Sequence, residues 1–159
     1  MASNKISTLK IGDLIDVTIE KVAHGGHFIA RHNGAVIFVR HAIPGEQCTI
    51  EITSTGSSFN RADVVEVAQP SEFRVQPPCQ YAHRLRCGGC DFQHIAPAHQ
   101  RTLKSDVITE QFSRIAKKEL RVEVEEVGDS LGWRTRAIAT TNRNGKLGFY
   151  KSRSHSIVP

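Results

Sequence analysis

The sequence predicts a β-rich α+β chain: a small five-stranded barrel, a cysteine-rich loop, one amphipathic helix and an antiparallel hairpin. Three observations predict it. Period-two alternation broken by closely spaced turn residues fills the first seventy positions, three cysteines gather between 79 and 90, and one stretch of helical periodicity follows Pro97. Hydrophobic residues make up 39% of the chain but aromatics only 6%, so its cores must be mainly aliphatic. The expected divisions are a barrel at 8–68, a proline-rich linker at 69–78, and a loop, helix and hairpin at 79–159 that is incomplete at its C-terminal end.

The barrel strands are legible in order. Asp16 to Val22 alternates polar and apolar and stops at His24-Gly25-Gly26. Phe28 to Arg31 is short and meets His32-Asn33-Gly34, a hairpin signal. Ala35 to Val39 is an apolar run of strand length, ended by Pro44-Gly45-Glu46. Cys48, Ile50 and Ile52 alternate with Thr49, Glu51 and Thr53, and after Thr55-Gly56-Ser57-Ser58 a fifth run spans Ala62 to Val67. Five short strands in so few residues suggest closure, which removes exposed sheet edges. Cys48 shares a strand face with Ile50 and Ile52 and is expected to be a buried structural thiol.

The segments Ile11-Gly12-Asp13, His24 to Arg31, Gly34 to Val39 and Ala42-Ile43-Pro44-Gly45-Glu46 resemble the TRAM domain. That resemblance implies an oligonucleotide/oligosaccharide-binding (OB)-like barrel that binds RNA through loops and one face, with Phe28, Arg31, Arg40 and His41 as contacts. Against a strong electrostatic field stands the charge: residues 1–70 hold six Lys/Arg and seven Asp/Glu.

Beyond the linker, Cys79, Cys87 and Cys90 form a Cys-x7-Cys-x2-Cys pattern. Glycines 88 and 89 allow positive φ and let backbone amides face the sulfurs. A redox Cys-Gly-Gly-Cys pair, zinc held with His83 or His94, and a [4Fe–4S] cluster short of one protein ligand are all open on spacing alone. Pro78-Cys79, Cys87 to His94, Gln100-Arg101 and Lys104 resemble the cluster loop of RNA (uracil-5-)methyltransferases, although seven residues separate the first two cysteines where that family usually has five. The resemblance implies a [4Fe–4S] cluster whose fourth cysteine lies just past a segment like Gly148 to Val158, outside this chain, with zinc as the alternative. It implies ribosomal RNA as partner, and S-adenosylmethionine and the catalytic nucleophile in a domain absent here. No Gly-x-Gly occurs, and none of the four cysteines sits in a nucleophile motif, so the chain alone is expected to bind RNA without catalysing. A self-standing RNA- or zinc-binding adaptor is the alternative.

Leu103, Val107, Ile108, Phe112 and Ile115 form an apolar stripe on a helix running from Pro97 to about Lys118, expected to be packing surface. Arg121 to Val124 alternates like a strand. From Ser130 onward there are six basic residues and no acid. A two-residue turn at Asn144-Gly145 would oppose Arg143 with Lys146, Arg136 with Arg153 and Arg134 with His155, a like-charge face suited to a bound anion. Arg134, Arg136, Lys151 and Arg153 are therefore expected to grip RNA phosphate, and Trp133 to pack in a core. No apolar run reaches the ~20 residues of a membrane span and the N-terminus lacks a secretory signal, so a cytoplasmic monomer with reduced thiols is expected.

Overall fold

The computed structural model describes residues 9–84 and 86–158, which divide into the units Met1–Arg74 and Val75–Pro159. In the first, β1 (Leu14–Ala23), β2 (His27–His32), β3 (Ala35–Arg40), β4 (Gln47–Ser54) and β5 (Asn60–Gln69) close a barrel in the order β1-β2-β3-β5-β4. This is the predicted OB-like barrel. β1 serves two neighbours: Leu14 to Thr18 pair with β4, and Ile19 to Ala23 pair with β2 after an irregularity between Ile19 and Lys21. Such a bulge bends the strand and lets one strand close the circle. β3 and β5 pair in parallel, setting Phe38 beside Arg61 and Arg40 beside Asp63.

Alternation decides the core. Phe28, Ala30, Ile37, Val39, Ile50 and Ile52 are fully buried, and the intervening positions face out. Asn33 and Gly34, both at positive φ (49° and 82°), form the two-residue turn between β2 and β3 that matches strand twist. Cys48 lies in this core, as its strand face predicts.

The Pro44-Gly45-Glu46 turn carries the barrel's buried charge. Glu46 is fully buried. Its carboxylate accepts the Ile43 N–H (2.8 Å), the Ser71 N–H (3.1 Å), and Arg74 Nε (2.7 Å) and Nη2 (2.6 Å). Its backbone carbonyl accepts the Ile19 N–H at 2.9 Å, and the Gly45 N–H donates to the Ile19 carbonyl at 2.8 Å. The turn therefore ties β1 at its bend to the segment that follows β5.

The second unit holds α1 (Pro97–Gln111), one π turn (Phe112–Ala116), and a three-stranded antiparallel sheet of β6 (Thr140–Thr141), β7 (Leu147–Tyr150) and β8 (Ile157–Val158). Pro97 opens the helix, and Lys117 in the left-handed region ends it. The stripe behaves differently from its prediction. Leu103 is buried, but Phe112 is 40% and Ile115 70% exposed. Arg121 to Val124 form no strand; their backbone lies along the helix, with Val122 N–H reaching Thr109 Oγ1 (3.4 Å) and Val124 N–H reaching Ser105 Oγ (3.0 Å). Helical hydroxyls replace the strand partner that the alternation implied.

Removing one member of a buried ion pair leaves an uncompensated charge, which costs about 3–5 kcal/mol. Glu46→Ala and Arg74→Ala should each destabilise the barrel on that scale in urea denaturation. The double change Glu46→Leu/Arg74→Met should cost less than the sum of its single changes, because neither charge is then stranded.

Candidate nucleic-acid interface

The barrel distributes the four predicted RNA contacts unevenly. Phe28 is wholly in the core, opposite Val39, because β2 turns 28 and 30 inward and 27, 29 and 31 outward. Arg40 is buried beside Asp63. His41 sits at φ 64° with its carbonyl accepting from Arg74 Nη2 at 2.9 Å. Arg31 is exposed and paired with Glu20. Phe28 and Arg40 thus hold the barrel together and offer a ligand no surface.

A different group gathers on the outside. His27 meets Phe38 edge-to-face at 6.1 Å between ring centres, and Phe38 meets Phe59 edge-to-face at 5.1 Å. The Arg61 guanidinium stands 5.3 Å from the Phe59 ring centre, and its Nη1 is 3.1 Å from His27 Nε2. Arginine only donates, so His27 accepts through Nε2 and carries its proton on Nδ1. None of these four was singled out from sequence. Phe38 was hidden in the unbroken run Ile37-Phe38-Val39, where alternation within β3 is the signal that exposes it.

In the second unit the cysteine loop is docked by its backbone. Cys87 bridges to Lys151, Gly88 N–H donates to the Tyr150 carbonyl (3.0 Å), and Ser152 N–H donates to the Arg86 carbonyl (3.0 Å). A Cβ on Gly88 would meet Ser152 Cα at 3.0 Å. Gly88 is thus needed for close approach, and neither Gly88 nor Gly89 uses the positive φ anticipated for them. Of the two glycine amides expected to face sulfur, Gly89 N–H points at Cys87 Sγ (3.4 Å) while that of Gly88 is taken by the Tyr150 carbonyl; Cys90 Sγ instead accepts the side-chain amide Gln93 Nε2 (3.1 Å). Gln93 Oε1 also accepts the Cys79 N–H at 3.2 Å, linking the third cysteine to the pair. The thiol donors and N–H···S contacts suit a metal or cluster ligand in chemistry. In geometry they are unfinished, since among the described residues no three His, Cys, Asp or Glu side chains are grouped to hold a metal, His83 and His94 included.

The basic segment corrects the predicted hairpin register. Thr140 pairs with Gly148 and Thr141 with Leu147, one residue away from the expected pairing. The cause is Asn142, whose Oδ1 accepts the N–H groups of Asn144 (2.9 Å) and Lys146 (3.0 Å) and so starts the turn early. A one-residue slip moves every side chain to the opposite face. The strand also ends at Thr140, so Arg134 and Arg136 have no cross-strand partners and the four-cation face does not form. All four cations are exposed, Arg153 in a turn at φ 51°. Trp133, expected in a core, is 64% exposed with the Arg134 guanidinium 4.9 Å from its ring centre.

The closed five-stranded barrel is OB-like in architecture, and residues 9–65 match the TRAM domain family. Proteins called uncharacterized RNA methyltransferases match nearly the whole chain. That of Streptomyces coelicolor is 40% identical, covering 94% of this chain and 36% of the relative; that of Streptomyces avermitilis is 42% identical, covering 94% and 38%. A Bdellovibrio bacteriovorus relative is 38% identical, covering 93% and 37%. Residues 9–65 are thus similar to a TRAM domain, and nearly the whole chain is similar to proteins called RNA methyltransferases. The chain spans a little over a third of the length of the curated relatives it matches. No helix among the described residues is long and apolar enough to cross a membrane.

The cysteines should separate by reactivity. Burial, reinforced by the Glu46 carboxylate and opposed by Arg74, pushes the Cys48 thiol up from 9.0 to about 12. A disulfide exchange reagent at pH 8 should therefore label Cys79, Cys87 and Cys90 in the folded metal-free protein, and Cys48 only on unfolding. Because the folded thiol keeps its proton where the unfolded one loses it, Cys48 should lower stability as pH climbs from about 9 toward 12. Cys48→Ala should flatten that decline in pH-dependent denaturation.

Proposed function

We propose that this chain is the RNA-holding part of a cytoplasmic, S-adenosylmethionine-dependent RNA (uracil-5-)methyltransferase acting on ribosomal RNA. The observation that carries it is the coexistence, in one chain, of a TRAM barrel and a three-cysteine loop within a match that covers 94% of this chain and 36% of an RNA methyltransferase. In this reading the barrel and the basic residues bind RNA. Methyl transfer belongs to the greater length of the longer relatives, and Cys48, Cys79, Cys87 and Cys90 take no nucleophilic part. Cys79, Cys87 and Cys90 hold a [4Fe–4S] cluster with one further ligand, which requires Cys79 to close on the pair that Gln93 already links it to. The cluster's share is to staple a small unit with little core of its own.

Arg134, Arg136, Lys151 and Arg153 contact phosphate in this proposal, each as an exposed cation in a segment without acids. Binding of a labelled single-stranded RNA, followed by anisotropy from low to high salt, tests it. Each lost contact to a single strand reduces the slope of log affinity against log salt by about 0.7, so Arg134→Ala/Arg136→Ala should reduce it by roughly 1.4. An unchanged slope would remove these two residues from the interface. For the cluster, anaerobic purification should give a brown protein containing iron and sulfide, lost in Cys87→Ser/Cys90→Ser. A colourless protein with a single zinc would assign the loop to zinc and favour an adaptor.

A further inference from the structure

One side chain joins two of the three loop cysteines. Gln93 Oε1 accepts the Cys79 N–H at 3.2 Å, and Gln93 Nε2 donates to Cys90 Sγ at 3.1 Å. The partners force this orientation of the amide. A backbone N–H can only donate, so the oxygen must face Cys79 and the nitrogen is left for sulfur. Gln93 itself stands on a turn fixed from two sides. Gln100, in the first turn of α1, donates from Nε2 to the Phe92 carbonyl (3.0 Å) and the Ile95 carbonyl (2.8 Å). The Val75 N–H donates to the His94 carbonyl at 3.0 Å, and Ile95 beside it is fully buried. A glutamine serving only its own turn would bond the turn carbonyls, as Gln100 does. Gln93 directs both ends of its amide at the cysteines instead.

We propose that Gln93 is the positioning residue of a thiolate-bound centre, bringing Cys79 and Cys90 to one ion or cluster and tuning the Cys90 sulfur through its N–H···S hydrogen bond. The proposal rests on the metal-or-cluster reading above and deepens it by naming what draws the outlying cysteine to the pair. Cys87 is held by other means, through its bridge to Lys151 and the neighbouring Gly88 N–H on the Tyr150 carbonyl. Cys79 stands seven residues away from Cys87 in the pattern, so without a tie the bound centre itself would have to order that loop. A tie already made in the empty protein removes part of that entropic cost. At the other end, an N–H on a thiolate draws electron density from the sulfur, which favours the more electron-rich state of a centre bound there. The amide is neutral, so it does both without adding charge to the site.

The test titrates the whole chain, reduced and metal-free, with Co(II) in the absence of oxygen, and reads the sulfur-to-cobalt charge-transfer band. Gln93→Leu keeps the bulk and loses the amide. It should weaken Co(II) binding by roughly 10- to 100-fold, the usual loss for an outer-shell partner of a metal ligand. At saturation its band should lie to the red of the unmodified chain's, because a sulfur without its hydrogen bond gives up an electron more easily. Gln100→Leu should also weaken binding but leave the band in place, since Gln93 still reaches sulfur in the loaded protein. After reconstitution with iron and sulfide, Gln93→Leu should have the lower reduction potential. Thermal unfolding by circular dichroism checks that the metal-free variants keep their fold. If Gln93→Leu unfolds, Gln93→Asn, which retracts the amide by one methylene, carries the same comparison. If the unmodified chain takes up neither cobalt nor iron, the metal-or-cluster reading fails and this one with it. If it does, and Gln93→Leu binds as tightly with the same band, metal binding stands and the positioning role is overturned. Weaker binding with band and potential both unmoved would assign Gln93 to loop shape alone and overturn its tuning of Cys90.

Discussion

The barrel depends on one buried carboxylate. Glu46 has no exposure, yet four donors converge on it: two backbone amides, from Ile43 and Ser71, and two guanidinium N–H groups of Arg74. A carboxylate in that position would be expensive without them, since desolvation of an unpaired ion costs several kcal/mol. The donors come from two separate stretches of chain, the turn at Ile43 and the segment Ser71 to Arg74 that follows β5, so the ion is fully satisfied only when both are in place. Its backbone adds a third stretch, β1 at its bend, through Ile19. The turn residue thereby joins the bend of β1, through Ile19, to the chain beyond β5, through Ser71 and Arg74. Gly45 at φ 88° lets the turn bring Glu46 there.

Closure then determines what the outer surface displays. The parallel pairing of β3 with β5 is the contact that no local hairpin could supply, and it sets Phe38 against Arg61. Phe59 precedes β5 by one residue and is carried to the same place. The aromatic and cationic group outside is thus a consequence of the ring of strands inside, and a change in the register of β3 by one residue would bury Phe38 and expose Ile37 and Val39.

How far these features could be read from the chain depended on whether neighbouring residues or distant ones decide them. The five barrel strands were legible because alternation, Asn33-Gly34 and the Pro-Gly-Glu turn act locally. Phe28 could be assigned to a surface only by ignoring its phase with Ala30. Arg40 required knowledge of its partner Asp63, which is twenty-three positions away and becomes a neighbour only through the parallel pair. The β6–β7 register failed for a smaller reason: the Asn142 side chain captured two amides and moved the turn back by one residue. The helical stripe and Arg121 to Val124 failed because amphipathic periodicity reports a preference for packing without naming the partner, and Ser105 and Thr109 took the backbone amides that a strand would have bonded. In the cysteine loop the Gly89 amide faces a sulfur as foreseen, but the Gln93 side-chain contact and the role of Gly88 were not, because close approach to Ser152 is a long-range fact.

The charge distribution gives the two units different physical tasks toward a polyanion. An acid-free stretch of thirty residues with six cations attracts phosphate at distances of about a Debye length, ~8 Å at physiological salt, and does so for any sequence. The barrel, with basic and acidic side chains nearly balanced, exerts little pull at that range.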